Sequence, residues 1–359
     1  VNYEKRISKV REAMSKLPVD AIFVTNLMNV RYLCGFTGSN GMLLLTEKGS
    51  RFFTDGRYRT QSADQVEGAD VVIYQDPPEL GSHLKTAASE MKATQIGFEA
   101  TNVTFARVDE LKGFFEGVAL HATKGVIEDL RAVKEPEELD LMRTAAHMAD
   151  DGFSHILDFV RTGMTEQEVA LELEFYLRKN GAEDVSFSPI VAAAERSALP
   201  HAHPSDRLVE EGRYLLFDLG CKYKGYCSDL TRTVVIGEPD SRHSSVYEVV
   251  LGANEAGLKA AGPEKSAREV DRAARDVVEA AGYPEAFSHG LGHGVGLEVH
   301  EGPTVRSTSD DVLKPGNVIT IEPGAYFPDW GGVRVEDLCV ITESGIEVLS
   351  KSPKELIAL

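Results

Sequence analysis

HGLGHGVGLEVHEGP, residues 289–303, carries three histidines within fifteen positions, at 289, 293 and 300. Two runs follow it: PGNVITIEPGAYF at 315–327, which holds Glu322, and GGVRVEDLCVIT at 331–342, which holds Glu336. Upstream, LLFDLGCKYKGYCSDLTRTVVI at 215–236 adds Asp218 and Asp229. Asp218, Asp229, His293, Glu322 and Glu336 read as one dinuclear metal site.

Working outward, the segments that supply these groups repeat each other. EEGRYLLFDLG and KPGNVITIEPG share an outline: a turn glycine, Gly212 or Gly316, then an apolar strand, with an acid six residues on, Asp218 or Glu322. A second strand follows each, YCSDLTRTVVI with Asp229 and RVEDLCVIT with Glu336. The helices repeat as well. MTEQEVALELEFYLRKNG opens with Thr165 and Glu168, and KSAREVDRAARDVVEAAG opens with Ser266 and Glu269, each with the spacing of a capping box. Each ends at a glycine, Gly181 or Gly282, as a helix stop does. Two βαβ-like halves, each giving two carboxylates, predict an α+β domain with pseudo-twofold symmetry and its site on the axis.

Chemistry supports the grouping. Four carboxylates gathered among apolar strand residues repel one another and cannot all stay ionised. Two divalent cations cancel those charges and leave a field that acidifies a bound water. Four oxygen donors, one imidazole and no thiolate favour Mn²⁺, Co²⁺ or a Mg²⁺-like ion over a structural zinc; Zn²⁺ stays open as a catalytic ion because affinity rises toward it. His201, in SALPHAHPSD, together with His289 and His300, suits the holding of a carbonyl oxygen or the movement of a proton beside such a pair. Proline and glycine punctuation places His201 and His300 on turns, where functional groups collect. His203 stays unassigned.

The rest of the chain sets the frame. Its 359 residues exceed one typical core, and two domains are expected, 1–124 and 125–359. Pro136, after VKE, suits the first turn of the helix that opens the second. Before the boundary, helix and strand patterns alternate: an amphipathic helix through Ile7, Val10 and Met14, strands at DAIFVTN, GMLLLTE, RFFTD, DVVIYQD and QIGFE, and helices between the later ones. That is an α/β domain with a mixed sheet. Its GFTGSNG run, 35–41, lacks the strand-glycine-helix arrangement of a phosphate loop and reads as a turn that rims another site. The formal net charge of −19 argues against nucleic-acid or anionic-membrane partners. No run approaches a membrane span, and four scattered cysteines make no disulfide framework, which fits a reducing cytoplasm.

At these residues the chain resembles the creatinase, prolidase and methionine aminopeptidase family, whose catalytic domain is called the pita-bread fold. DLG, SDLTRT, HGLGHGVGLEVHE, EPG and VRVED appear in the family's order, and RISKVREAMSKLPVDAIFVTNLMNVRYLCGFTGSNG is similar to the N-terminal domain of its proline-peptidase branch. The resemblance implies that Asp218 binds one metal terminally, His293 binds the other, and Asp229 and Glu336 bridge. It implies that Glu322 is both ligand and general base, and that His201 and His300 handle substrate and protons. His289, Tyr326 and Arg334 match supporting positions. It implies a dinuclear-metal proline peptidase that releases the residue before a proline and works as a homodimer or dimer of dimers. An alternative of another class, a catalytically dead binding module, would be marked by lost ligands, and all five are present. Two departures matter. The family's Ser-Gly pair before the PH histidine is replaced in VAAAERSALPH, and the position after HEGP, which carries an arginine in some short prolidase-like members, is Thr304, with Arg306 two residues on. A missing carboxylate anchor points to an aminopeptidase P-like preference for Xaa-Pro-Yaa and longer chains, with the Xaa-Pro dipeptidase reading as the alternative.

Overall fold

The apolar run AIFV forms strand β1 (Ala21–Val24), buried along its whole length, and a six-stranded sheet is built around it. This computed structural model describes all residues, Val1–Leu359. With β2 (Met42–Thr46), β3 (Ser50–Asp55), β4 (Asp70–Tyr74), β5 (Gln95–Glu99) and β6 (Ala119–Thr123), the order is β4-β3-β2-β1-β5-β6. β1 pairs antiparallel with β2 and parallel with β5, so the sheet is mixed. Helices α1 (Tyr3–Met14), α2 (Leu27–Cys34), α3 (Arg59–Gln65), α4 (Pro77–Glu90), α5 (Phe105–Phe114) and α6 (Glu128–Arg131) belong to the same unit, Val1–Arg131.

The pattern in the sequence gives no sign of α2. Asn29, Val30, Tyr32, Leu33 and Cys34 are all buried, so no polar face marks a helical period. Its start is local chemistry: Asn26 Oδ1 accepts from the backbone N–H groups of Met28 and Asn29. α6 lies past the expected boundary at 124/125 and stays with the first unit through buried polar bonds. Arg131 Nη1 donates to Asn29 Oδ1 at 2.7 Å, and Asn29 Nδ2 donates to Glu99 and Glu128.

The second unit, Ala132–Leu359, shows the duplication. Its helices are α7 (Pro136–Phe159), α8 (Glu166–Lys179), α9 (Ser241–Ala260) and α10 (Ala267–Ala280). Pro136 takes the first position of α7, and Glu135 and Glu138 close a capping box around it. In the first half, β7 (Asp184–Val185) pairs with β10 (Cys221–Tyr223), which pairs with β11 (Tyr226–Cys227). Beside them β8 (Ile190–Ala193), β9 (Arg213–Leu219) and β12 (Leu230–Ile236) form an antiparallel sheet. In the second half β13 (Gly292–Gly294), β15 (Val318–Ile321) and β18 (Asp337–Ile341) repeat that antiparallel order. β14 (Glu301–Val305) and β19 (Ile346–Val348) edge the same sheet, while β16 (Gly324–Phe327) and β17 (Gly331–Arg334) form a hairpin.

Smaller features match too. Gly212 and Gly316 both take positive φ at the turns before β9 and β15. Thr165 bridges Leu208, and Ser266 bridges Val312 in the same antiparallel sense. Each half has its own core. Phe153, Leu173, Leu177, Phe217 and Val234 pack α7 and α8 on the first sheet, and Val270, Val278, Ile319 and Cys339 do the same for α10 on the second. Side chains of that kind contribute about 1.5–3 kcal/mol each when removed from water. One expected detail differs. Thr165 and Glu168 form the full capping box, whereas the Ser266 side chain accepts no bond from α10. The backbone at Ser266 is held by its bridge to Val312 instead. No helix is long and apolar enough to cross a membrane.

Candidate metal centre

The two duplicated hairpins carry the acids at their ends. Asp218 lies near the end of β9, opposite Thr231 on β12, and Asp229 stands just before β12. Glu322 follows β15 directly and Glu336 precedes β18. The Glu336 N–H donates to the Thr231 carbonyl at 3.1 Å, and that bond joins the two halves at the site. His293, on β13, completes the set.

Donor atoms of Asp229, His293 and Glu336 lie within 4.8 Å of one another. Glu322 approaches through the imidazole, with its Oε1 3.3 Å from His293 Nε2; Asp229 Oδ2 is 3.6 Å from the same nitrogen. Asp218 turns one oxygen toward Arg334, whose Nη2 donates to Oδ2 at 2.5 Å. Its buried Oδ1 has no hydrogen-bond partner. The His293 Nδ1 faces the Gly294 carbonyl at 3.1 Å, and a carbonyl only accepts. Nδ1 therefore carries a proton and Nε2 faces the acids; burial lowers the His293 pKa, but the hydrogen bond and charge of Glu322 outweigh it and raise it, so Nε2 must release its proton before it can hold a cation.

Electrostatics test whether these groups suit a cation. Burial, and then the charges of Glu336 and Asp218, pushes the Asp229 carboxyl well above its usual range. Burial followed by the charges of Glu322 and Asp218 does the same to Glu336. Asp218 is also raised, by burial first, with Arg334 pulling the other way. Burial raises Glu322 too, but the hydrogen bond and charge of His293 outweigh it and hold that carboxyl at about 2. Acids forced toward neutrality, an orphan carboxylate oxygen and an imidazole nitrogen aimed at them together fit divalent cations.

Around them lies a cleft of about 390 Å³. Every residue given a candidate site role from the sequence lines it except Tyr326, which stands behind His289. There a relay runs inward: Arg334 Nη1 donates to Tyr326 Oη at 3.0 Å, and Tyr326 Oη lies 2.8 Å from His289 Nε2. The His289 Nδ1 is bound to the Gly290 carbonyl, which leaves Nε2 to accept. Burial lowers the pKa of His289 and raises that of Tyr326 to about 12, so both stay neutral near pH 7. The His300 ring meets the His293 ring edge-on with centroids 4.3 Å apart. His201 also reaches the cleft, whereas His203 does not line it.

Some contributors were not singled out from the sequence. Thr231 Oγ1 donates to Glu336 Oε2 at 2.7 Å and accepts from Arg334 Nε, and Thr320 Oγ1 donates to Glu322 Oε1. Each threonine stands two residues from a ligand acid, the spacing that puts strand side chains on one face. Arg232, buried, donates to the carbonyl of Glu336 and to Asp337 Oδ1. Phe187, Ile190 and Val299 give the cleft an apolar wall that no motif marked.

Comparison with known proteins places both parts of the chain in a family. Residues 140–343 match metallopeptidase family M24, and residues 6–133 match the creatinase/prolidase N-terminal domain. The solved Xaa-Pro dipeptidase from Bacillus anthracis is 40% identical, with 100% of each chain covered and a TM-score of 0.97. An X-Pro aminopeptidase from Thermotoga maritima is 34% identical over 97% of this chain and 100% of its own, with a TM-score of 0.89. The Xaa-Pro dipeptidase of Pyrococcus furiosus is 35% identical over 99% of this chain and 100% of its own.

Proposed function

The chain belongs to metallopeptidase family M24, and from that premise we propose that it is a metal-dependent Xaa-Pro dipeptidase. Asp218, Asp229, His293, Glu322 and Glu336 would hold two divalent cations, Mn²⁺ first, with Co²⁺ or Zn²⁺ as substitutes. Bound there, the cations supply charge that offsets the acids and acidifies water. The protein's own groups do the rest. Glu322 takes the proton of the attacking water, and His201 and His300 stabilise the oxygen that becomes anionic at the carbonyl carbon. The Arg334–Tyr326–His289 relay keeps the neighbouring wall in one protonation state. The proline nitrogen leaves once it is protonated.

One observation carries the choice of dipeptide: exposed Arg306 lines the cleft, and its side chain makes no ion pair or hydrogen bond. A free guanidinium there suits the carboxylate at the end of an Xaa-Pro dipeptide. Thr304, two residues before it, is already committed, its N–H and hydroxyl bonded to Asp311. This moves the reading away from the longer-peptide preference inferred from Thr304 at the motif position with Arg306 two residues on. That second reading keeps one support, the likeness to the Thermotoga X-Pro aminopeptidase.

Arg306→Ala should lower kcat/KM on an Xaa-Pro dipeptide about 10- to 100-fold, the worth of a charge-assisted bond, and leave its C-terminal amide unchanged. Equal rates on dipeptide, amide and tripeptide in the wild type would favour the aminopeptidase reading. The N-terminal unit is proposed to act through assembly, its 35–41 loop rimming a neighbouring subunit's site in a homodimer or dimer of dimers. Sedimentation velocity should then find a dimer or tetramer whose specific activity drops on dilution; a fully active monomer contradicts it. Four free buried cysteines suit residence in a reducing cytoplasm.

A further inference from the structure

His201 rides on a loop whose two ends converge on one buried carboxylate. Glu166, the first residue of α8, is 0% exposed. Its Oε1 accepts from the Ala193 N–H at 2.8 Å, and its Oε2 accepts from the N–H and hydroxyl of Ser205 at 2.9 and 2.7 Å. Arg196 Nε lies 3.1 and 3.0 Å from the two carboxylate oxygens, and its Nη2 donates to the His203 carbonyl at 2.6 Å. The chain enters the loop at Ala193 and leaves it at Ser205, so the bonds bracket His201 from both sides.

The segment between needs such restraint. Ala194 takes φ +53°, a region that disfavours any residue with a β-carbon, at the place where the chain lacks the glycine of the resembling family. Two further bonds tie the loop to the site. Gly332 N–H donates to Ser197 Oγ at 2.8 Å, and Arg334 Nη1 donates to the Pro200 carbonyl at 3.3 Å. The His201 ring itself has no hydrogen-bond partner and lines the cleft, open to substrate. The other half of the domain uses a similar device. Buried Asp271, on α10, accepts from the Leu291 N–H at 3.0 Å, and its partner Arg275 donates to the His289 carbonyl at 2.8 Å.

We propose that Glu166 is a positioning residue for His201: by tying Ala193, Arg196 and Ser205 to one carboxylate, it fixes where the imidazole meets the substrate. Its kinetic readout rests on the Xaa-Pro hydrolase reading; its structural readout does not. Glu166 touches nothing in the cleft, so its removal should act through the 193–205 loop, chiefly through His201. A misplacement on the order of 1 Å near reacting atoms costs roughly 100-fold in rate.

The test is Glu166→Gln, which removes the charge and turns an amide toward donors, made in wild-type and His201→Ala backgrounds. Hydrogen exchange across 193–205, metal content, and kcat and KM on an Xaa-Pro dipeptide are measured together. Exchange at the Ala193 and Ser205 amides should rise about tenfold or more, with protection elsewhere kept. In the wild-type background kcat should fall about 10- to 100-fold, with KM within about threefold. In the His201→Ala background the same substitution should change kcat less than about twofold. Arg196→Gln, a milder change at a partly exposed position, should reproduce the pattern if Glu166→Gln folds poorly. Unchanged exchange in the loop overturns the proposal, as does an equal loss of kcat with and without His201. A wild type that hydrolyses no Xaa-Pro peptide counts against the function proposed above, and the exchange result still decides the role of Glu166.

Discussion

Glu322→Gln lowers kcat by about three orders of magnitude, the upper part of the range for removing a general base. Two losses combine. The amide has no basic oxygen to take the proton from water, and the buried set loses a negative charge that faces His293 at 3.3 Å. Burial raises this carboxyl, but the hydrogen bond and charge of His293 outweigh it and keep Glu322 ionised near neutral pH, the state in which it can accept a proton. KM should move far less than kcat, since the carboxylate contributes to the transition state more than to substrate binding. Metal content separates the two losses. A variant that keeps full metal and still loses turnover has lost the base; retained turnover would take Glu322 out of the mechanism.

Chelation abolishes activity and lowers the melting temperature by more than about 10 °C. Asp218, Asp229 and Glu336 are all pushed above the usual carboxylate range, chiefly by burial, so without cations they oppose folding either as charges or as forced acids. A ligand at a hundredfold excess over its Kd adds about 2.7 kcal/mol of stability per site. For a domain of this size each kcal/mol is worth roughly 2–4 °C. Two sites should therefore move the midpoint by more than about 10 °C. Differential scanning with and without chelator, followed by Mn²⁺ readdition, checks both the sign and the reversal. A chelated protein free of metal by elemental analysis, with unchanged melting and activity, would contradict the assignment.

How much was legible in the sequence follows from how local each signal is. The four acids proposed as ligands were readable because a duplicated strand pattern repeats their spacing, and His293 because it stands in a histidine-rich run; the structure brings all five to one cleft. Glu166 was not. In sequence it is only an acid in the first turn of a helix, where such residues are common. Its task depends on Ala193 and Ser205, which reach it only in the folded chain. Arg306 is a different case: against the motif it stands two places out of register, and only the folded chain brings it to the cleft lining. Helix α2 escaped because burial on nearly every side erases amphipathic periodicity. The Ser266 cap misled because a short pattern records composition and not which bond the backbone finally makes.

The most direct measurement is the release of free amino acid from a series of Xaa-Pro dipeptides, with the metal-loaded protein, after chelation, and after Mn²⁺ is restored. Release should stop with chelation and return with the metal, at the bond before proline and at no other. Absence of release from every Xaa-Pro dipeptide with Mn²⁺, Co²⁺ or Zn²⁺ bound would contradict the proposed function.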